Sequence, residues 1–183
     1  FGHFGHSAGG EKDCYNIIMK IGINARFLTL PHTGIGQYTL NLLSGLAEID
    51  SENHYFLFTP EPVDLDLPAR FEQVRVQEHP FSSPSLKKAH WEHTLVPQEM
   101  QKRGIELAHF PYPSNPWRRL PFPVVVTLHD VIPWVLPEYR QRFRSKLYHF
   151  YSRLALRKAD HVIAVSEFTK NELMKLVKKI PSK

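Results

Sequence analysis

His129 and Asp130 stand side by side where the run "VVVTL" (124–128) gives way to "HDVIPWVLPE". A β-branched run bounded by proline reads as a central parallel strand, and ligands of such sheets collect beyond the carboxyl ends of the strands. A His–Asp pair at that place suits contact with a sugar or a phosphate. Neighbouring side chains on a strand point to opposite faces, so the two need not touch. No separately positioned nucleophile accompanies them, which argues against a hydrolase triad.

A second candidate is "TGIGQYTLNLL" (33–43), with Gly34 and Gly36 directly ahead of a helical apolar pattern. A dinucleotide fingerprint needs a third glycine, a tight turn right after the first strand, and an acidic residue ending the next strand. Here Thr39 replaces the third glycine, residues 25–33 intervene after the strand, and the second strand ends in Thr59-Pro60. NAD or FAD binding is therefore disfavoured, and no P-loop signature is present. Two readings stay open: backbone N–H groups of Gly34, Ile35 and Gly36 offered to an anion at a helix start, or glycines that only turn the chain and let the helix pack closely.

Three further patterns are weaker. "HWEH" (90–93) places two histidines three residues apart; without a cysteine cluster or H-E-x-x-H it reads as helix surface around a buried Trp91, and no metal is expected. Ser166 opens "SEFTKNEL" as an N-cap, and the same helix end points into the cleft, where it can also hold an anion. In "EYRQRFRSKLYHFYSRLALRK", Phe143, Leu147, Phe150 and Leu154 form one stripe. Arg142, Lys146, His149, Arg153 and Arg157 form another, either a solvated basic face or a patch for anionic lipid or a phosphorylated acceptor.

The elements that must position these residues follow from periodicity. Strands are expected at 19–24, 54–59, 74–77, 105–110, 124–128 and 161–165. Helices are expected at 35–48, at 86–103 (broken or kinked at Pro97, stopped by Gly104), at 138–158, and from Ser166 onward. The alternation implies an α/β fold with a doubly wound, mostly parallel Rossmann-like sheet flanked by helices. Its strand ends then single out Asn24–Arg26, Phe110–Tyr112, His129–Asp130 and Ser166–Thr169.

The 183 residues suit one domain, 42% of them hydrophobic and 22% charged. Fifteen prolines, most of them between 60 and 137, imply shaped loops, and the net charge of +5 permits phosphate-bearing ligands without selecting one. No basic-aromatic strand motif or recognition helix points to nucleic acid. Cys14 is the single cysteine, as expected for a reducing compartment. Residues 1–18 read as a disordered extension ahead of Met19, with the domain spanning 19–183.

Together, "MKIGINARFLTLPHTGIGQYTLNLLSGLA", "WEHTLVPQEMQKRGIELAHFPY", "VVVTLHDVIPWVLPE" and "KADHVIAVSEFTKNEL" resemble, in order and spacing, the amino-terminal domain of GT-B glycosyltransferases of family 4. The resemblance implies one half of a two-domain fold that moves a sugar from a nucleotide-sugar donor, GDP-mannose or UDP-glucose in type, to a glycan or lipid-linked acceptor, with retention and without a metal or other cofactor. It implies that Gly34, Ile35 and Gly36 approach the donor diphosphate. His129 would lie beside the donor sugar near its reacting carbon, with Asp130 shaping that pocket, and Arg26 and Tyr112 would line the acceptor side. The family's second domain, which holds most of the donor and carries an E-x7-E motif, does not follow "LVKKIPSK". Little transfer is expected from this half alone. A stand-alone glycan- or phosphate-binding domain, or one subunit of a split transferase, is the alternative. The implied setting is cytoplasmic, peripheral to the inner face of a membrane.

Overall fold

A computed structural model of the chain describes residues 18–132 and 143–178, the latter without the side chains of 143–149 and 176–178. Strands β1 (Lys20–Asn24), β2 (His54–Thr59), β3 (Phe71–Arg75), β4 (Leu107–Phe110), β5 (Val124–Leu128) and β6 (His161–Ala164) form one sheet in the order β3-β2-β1-β4-β5-β6. Every neighbouring pair is parallel. The strand order reverses between β1 and β4, and a crevice opens there at the carboxyl ends, as expected of doubly wound sheets.

Helix α1 (Gly34–Ile49) covers one face, where Leu43 packs with Ile23, Tyr55, Leu57 and Phe71. The other face carries Phe58, Ala108, Phe110, Val124 and Val126, packed against Trp91, Val96 and Met100. Those three residues come from a continuous helical run of α2 (Pro84–His90), a π-turn (Trp91–Leu95) and α3 (Val96–Lys102). Helices α4 (Phe143–Lys158) and α5 (Glu167–Lys178) follow β5 and β6, and Leu156 and Leu173 pack with Leu128, Val131 and Val162.

Expected strands at 54–59 and 124–128 match the observed bounds, and Gly104 ends α3 with φ of 67°. The third strand is Phe71–Arg75, not 74–77. Its start is fixed by Phe71, which pairs with Tyr55 and stacks on that ring at 4.5 Å between centroids. The fourth is shorter than 105–110, because Ile105 belongs to the turn closing on Met100 O (3.0 Å). Pro97 does not break the helical run. Its ring would clash with the His93 carbonyl in a regular α-helix, and the π-turn relieves this, with the Val96 N–H reaching back to Trp91 O.

The apolar stripe of α4 differs from expectation. Phe150 is 62% exposed, while Ser152 and Ala155 are buried and Leu156 and Ala159 pack on the core. The inward face is therefore rotated away from Phe150. Residues 138–142, including Arg142, and the side chains of Phe143, Lys146, Leu147 and His149 lie outside the described residues, as do residues 1–17 with Cys14.

Candidate active site

Asn24, the last residue of β1, is 1% exposed and faces the crevice. Its Nδ2 donates to Ser114 Oγ (3.0 Å) and Tyr112 Oη (3.5 Å), and its Oδ1 accepts from the Arg26 N–H (3.2 Å). A polar side chain so deep must be satisfied, and this one ties the loop after β1 to the loop after β4. Tyr112 in turn donates its hydroxyl to Glu92. Glu92 belongs to the π-turn, is 4% exposed, and lies 3.7 Å from Lys88 Nζ.

Burial pushes the Glu92 carboxyl up, opposed mainly by the Lys88 charge and the Tyr112 hydrogen bond. Burial, then the Glu92 charge, raises the Tyr112 phenol well above its usual range, so it stays a donor. Lys88 sits 5.0 Å from the ring centroids of both Phe27 and Tyr112, a cation shared by two aromatic faces and one acid. Arg26 pairs with Glu78 and lies over the Trp91 ring at 5.2 Å. It thus lines a shallow neighbouring pocket with its charge already matched.

Above this network is a pocket of about 370 Å³ bounded by Ile35, Lys88, Glu92, His93, Tyr112 and Ser152. Ile35 comes from the glycine loop, Tyr112 from the loop after β4 and Ser152 from α4, so with the π-turn the pocket joins four segments distant in sequence.

His129 follows β5 and is half-buried. Its Nε2 contacts Pro111 O at 2.8 Å; a carbonyl only accepts, so Nε2 carries the proton and Nδ1 the lone pair. The Tyr38 ring meets it edge-on at 4.7 Å. The Tyr38 hydroxyl reaches Thr127 Oγ1 (3.0 Å), which is 2.9 Å from His109 Nε2. Burial lowers His109 to about 4, keeping that ring neutral. His129 is therefore held from two sides. Asp130 points elsewhere: it is exposed, and its Oδ1 accepts from the Ile132 N–H (3.1 Å) in a local turn.

At the α1 start, Thr33 Oγ1 accepts from the Gly36 N–H (3.1 Å), leaving those of Gly34 and Ile35 without an acceptor among the described residues. The two glycines have different jobs. A Cβ on Gly36 would overlap Leu30 O and come within 2.9 Å of Phe27 O, whereas one on Gly34 would meet nothing within 4 Å. Ser166 caps α5, its Oγ accepting from the Thr169 N–H (3.1 Å). Thr169 also donates toward His129 O (3.4 Å), so α5 buttresses the strand end that carries His129.

A family model described as Glycosyltransferase Family 4 matches residues 32–183. The chain belongs to glycosyltransferase family 4. Among solved structures, WaaG, a glycosyltransferase involved in lipopolysaccharide biosynthesis, aligns with 90% of this chain and 43% of its own, at 15% identity and a TM-score of 0.60. The apo form of the lipopolysaccharide outer core galactosyltransferase WaaB aligns with 89% and 43%, at 11% identity and a TM-score of 0.49. No curated protein sequence matches the chain. The chain thus spans under half the length of these solved relatives, and its sheet is that of one half of a GT-B enzyme.

Within this family 4 domain, Gly34, Ile35, Tyr112 and His129 gather at the carboxyl edge of the sheet, and Arg26 lies beside them. Asp130 and Ser166 are engaged in local turns and caps. Lys88, Glu92 and Ser114 escaped the sequence reading. The one signal was Glu92 itself, an acid beside the tryptophan expected to be buried. The two "HWEH" histidines part company in the fold: His90 packs on His79 and Phe81, and His93 on Trp117.

Proposed function

We propose that this domain is the acceptor-side half of a retaining glycosyltransferase, which moves a sugar from a nucleotide-sugar donor of GDP-mannose or UDP-glucose type to a glycan or lipid-linked acceptor. The observation that carries the reading is that an uncapped pair of N–H groups, an oriented histidine and a small-molecule pocket share one edge of the sheet. The N–H groups of Gly34 and Ile35, with the positive end of the 16-residue α1, suit the charge that develops on a departing diphosphate. Gly36 serves by close packing, because its own N–H is spent on Thr33. His129 offers its Nδ1 lone pair to a hydroxyl of the donor sugar, and Asp130 shapes the turn beside it. Ser166 acts through position: its cap fixes the helix end behind His129.

No metal or other cofactor enters this scheme. The leaving phosphate itself deprotonates the acceptor hydroxyl, and configuration is retained by attack on the face it leaves. The nucleotide is held by a second domain of the kind that completes the solved relatives, so this half alone transfers little sugar. Lipid contact is assigned to α4, where Arg153, Arg157 and Phe150 are exposed. Among the described residues no helix is long and apolar enough to cross a membrane.

The test is a donor screen on the two-domain protein, repeated with His129→Ala. Turnover should fall on the order of 100-fold, as when one oriented polar group is removed from a reacting centre. Unchanged turnover in a folded variant removes His129 from the site.

A further inference from the structure

Two polar atoms inside the π-turn pocket have no partner among the described residues: His93 Nδ1 and Ser152 Oγ. Ser152 is 2% exposed, and both residues line the cavity. A third such atom, Asn115 Oδ1, belongs to a side chain whose Nδ2 is tied to Ala155 O (2.9 Å) on the same helix as Ser152. Buried polar groups are almost always hydrogen-bonded, so orphans at one cavity are a signature of a ligand that completes them.

Their chemistry is specific. Burial lowers His93 to about 4, so the ring is neutral, and it also hydrogen-bonds the Asn115 backbone. Nδ1 is left as an acceptor, while the Ser152 hydroxyl can donate and accept. The ring is fixed by stacking: His93 on Trp117 at 4.5 Å, and Trp117 on Tyr151 at 4.6 Å and 14°. Tyr151 and Phe27 add aromatic walls. Among the described residues that line the pocket, the one cation, Lys88, and the one acid, Glu92, already answer each other at 3.7 Å. A phosphorylated ligand would have to compete for Lys88 and leave the buried Glu92 carboxylate with only the Tyr112 hydroxyl, without a counter-charge, which is costly. A neutral hydroxyl-rich ring would not.

We infer that this pocket binds a neutral polyol ring, a hexose or cyclitol without phosphate, with one hydroxyl donating to His93 Nδ1 and another bonded to Ser152 Oγ. The volume of about 370 Å³ lies at the small end of ligand sites, as a single ring requires. Its role as the acceptor subsite rests on the glycosyltransferase reading; the binding itself does not.

Saturation-transfer NMR on this chain tests it, with methyl α-glucoside, methyl α-galactoside, methyl α-mannoside and myo-inositol as probes and glucose 6-phosphate as comparator. At least one neutral probe should bind in the millimolar range. Ser152→Ala should weaken it about fivefold, the worth of one hydrogen bond. Ser152→Val should abolish it by removing the hydroxyl and crowding the buried cavity wall, with thermal unfolding checking that each variant folds. No binding by any neutral probe, binding indifferent to both substitutions, or a glucose 6-phosphate affinity more than about tenfold higher would overturn the inference. In the two-domain protein, transfer that responds to His129→Ala but not to Ser152→Val would reject this site and keep the glycosyltransferase reading. Polyol binding without any transfer would do the reverse.

Discussion

Ile35 on the start of α1 and Glu92 on the π-turn face the same pocket, yet the two walls they belong to are built in opposite ways. The α1 wall is made of backbone. It has a capping threonine, two N–H groups left over, and a glycine that lets the helix lie against the chain of Phe27 and Leu30. The π-turn wall is made of side chains from distant segments: Asn24, Glu92, Tyr112 and Ser114 share buried hydrogen bonds, and the part-exposed Lys88 adds its charge to Glu92. A backbone wall tolerates changes of side-chain chemistry and resists changes of volume. A networked wall does the reverse, because every member is the partner of another.

That contrast can be broken by substitution, beginning where the effect should be largest. Glu92→Ala leaves Lys88 and the Tyr112 hydroxyl without their acceptor and should cost about 3 kcal/mol or more in denaturant unfolding. A loss under about 1 kcal/mol would mean that the network contributes little.

Acid should next divide the buried titrating groups of the π-turn and β4, against an α1 wall that brings none. An unfolded histidine titrates near 6.5, whereas His93 and His109 stay neutral in the fold down to about 4. Between those values the unfolded chain binds more protons, so stability falls as pH drops, by up to about 1.4 kcal/mol per pH unit for each ring. Glu92 works the other way, since its raised carboxyl takes a proton in the fold before it does in the unfolded chain. His109→Gln should flatten the acid loss and Glu92→Gln should steepen it. Urea titrations at several pH values would show whether either slope moves.

The backbone wall should respond to volume alone. Gly36→Ala forces a Cβ against two carbonyl oxygens and should cost about 2 kcal/mol. Thr33→Ala, which removes only the cap, should cost about 1 kcal/mol. Gly34→Ala opens onto free space and should change stability by less than about 0.5 kcal/mol. If Gly36→Ala and Gly34→Ala prove equal in a melting comparison, the close approach of α1 to the Phe27–Leu30 backbone is not what the glycine is for.

How legible each wall was in the sequence follows from the same contrast. Strands β2 and β5, the Ser166 cap and the Gly104 stop were readable because each depends on residues within a few positions. The α1 start was visible as two glycines, although only a three-dimensional neighbour, Leu30 O, tells the packing glycine from the free one. The π-turn wall was hidden. Nothing local to Glu92 announces that Tyr112 and Lys88 will close over it, and the regular α-helical phase expected for 86–103 is broken inside the very segment that carries it. The face of α4 was misjudged for a related reason. Aromatic Phe150 outweighs Ser152 and Ala155 in any pattern, but the small residues are the ones that fit against the loop of Asn115. Four segments in a fixed order were needed to recognise the family where no single motif sufficed.

The π-turn has a genetic consequence as well as a structural one. A five-residue repeat inside a helix is what one inserted residue leaves behind when the helix on either side is kept. Deleting one position between Trp91 and Leu95 would force the run toward a regular helix, bring the Pro97 ring against the carbonyl four residues back, and turn everything upstream of the deletion by about 100° relative to α3. Trp91 would then leave its place against Val76 O, and Lys88 and Glu92 would leave the crevice together. The α1 start and His129, whose partners lie outside this helical run, would keep them. A change of a single codon could thus add or erase one wall of the pocket while the strand order stays the same.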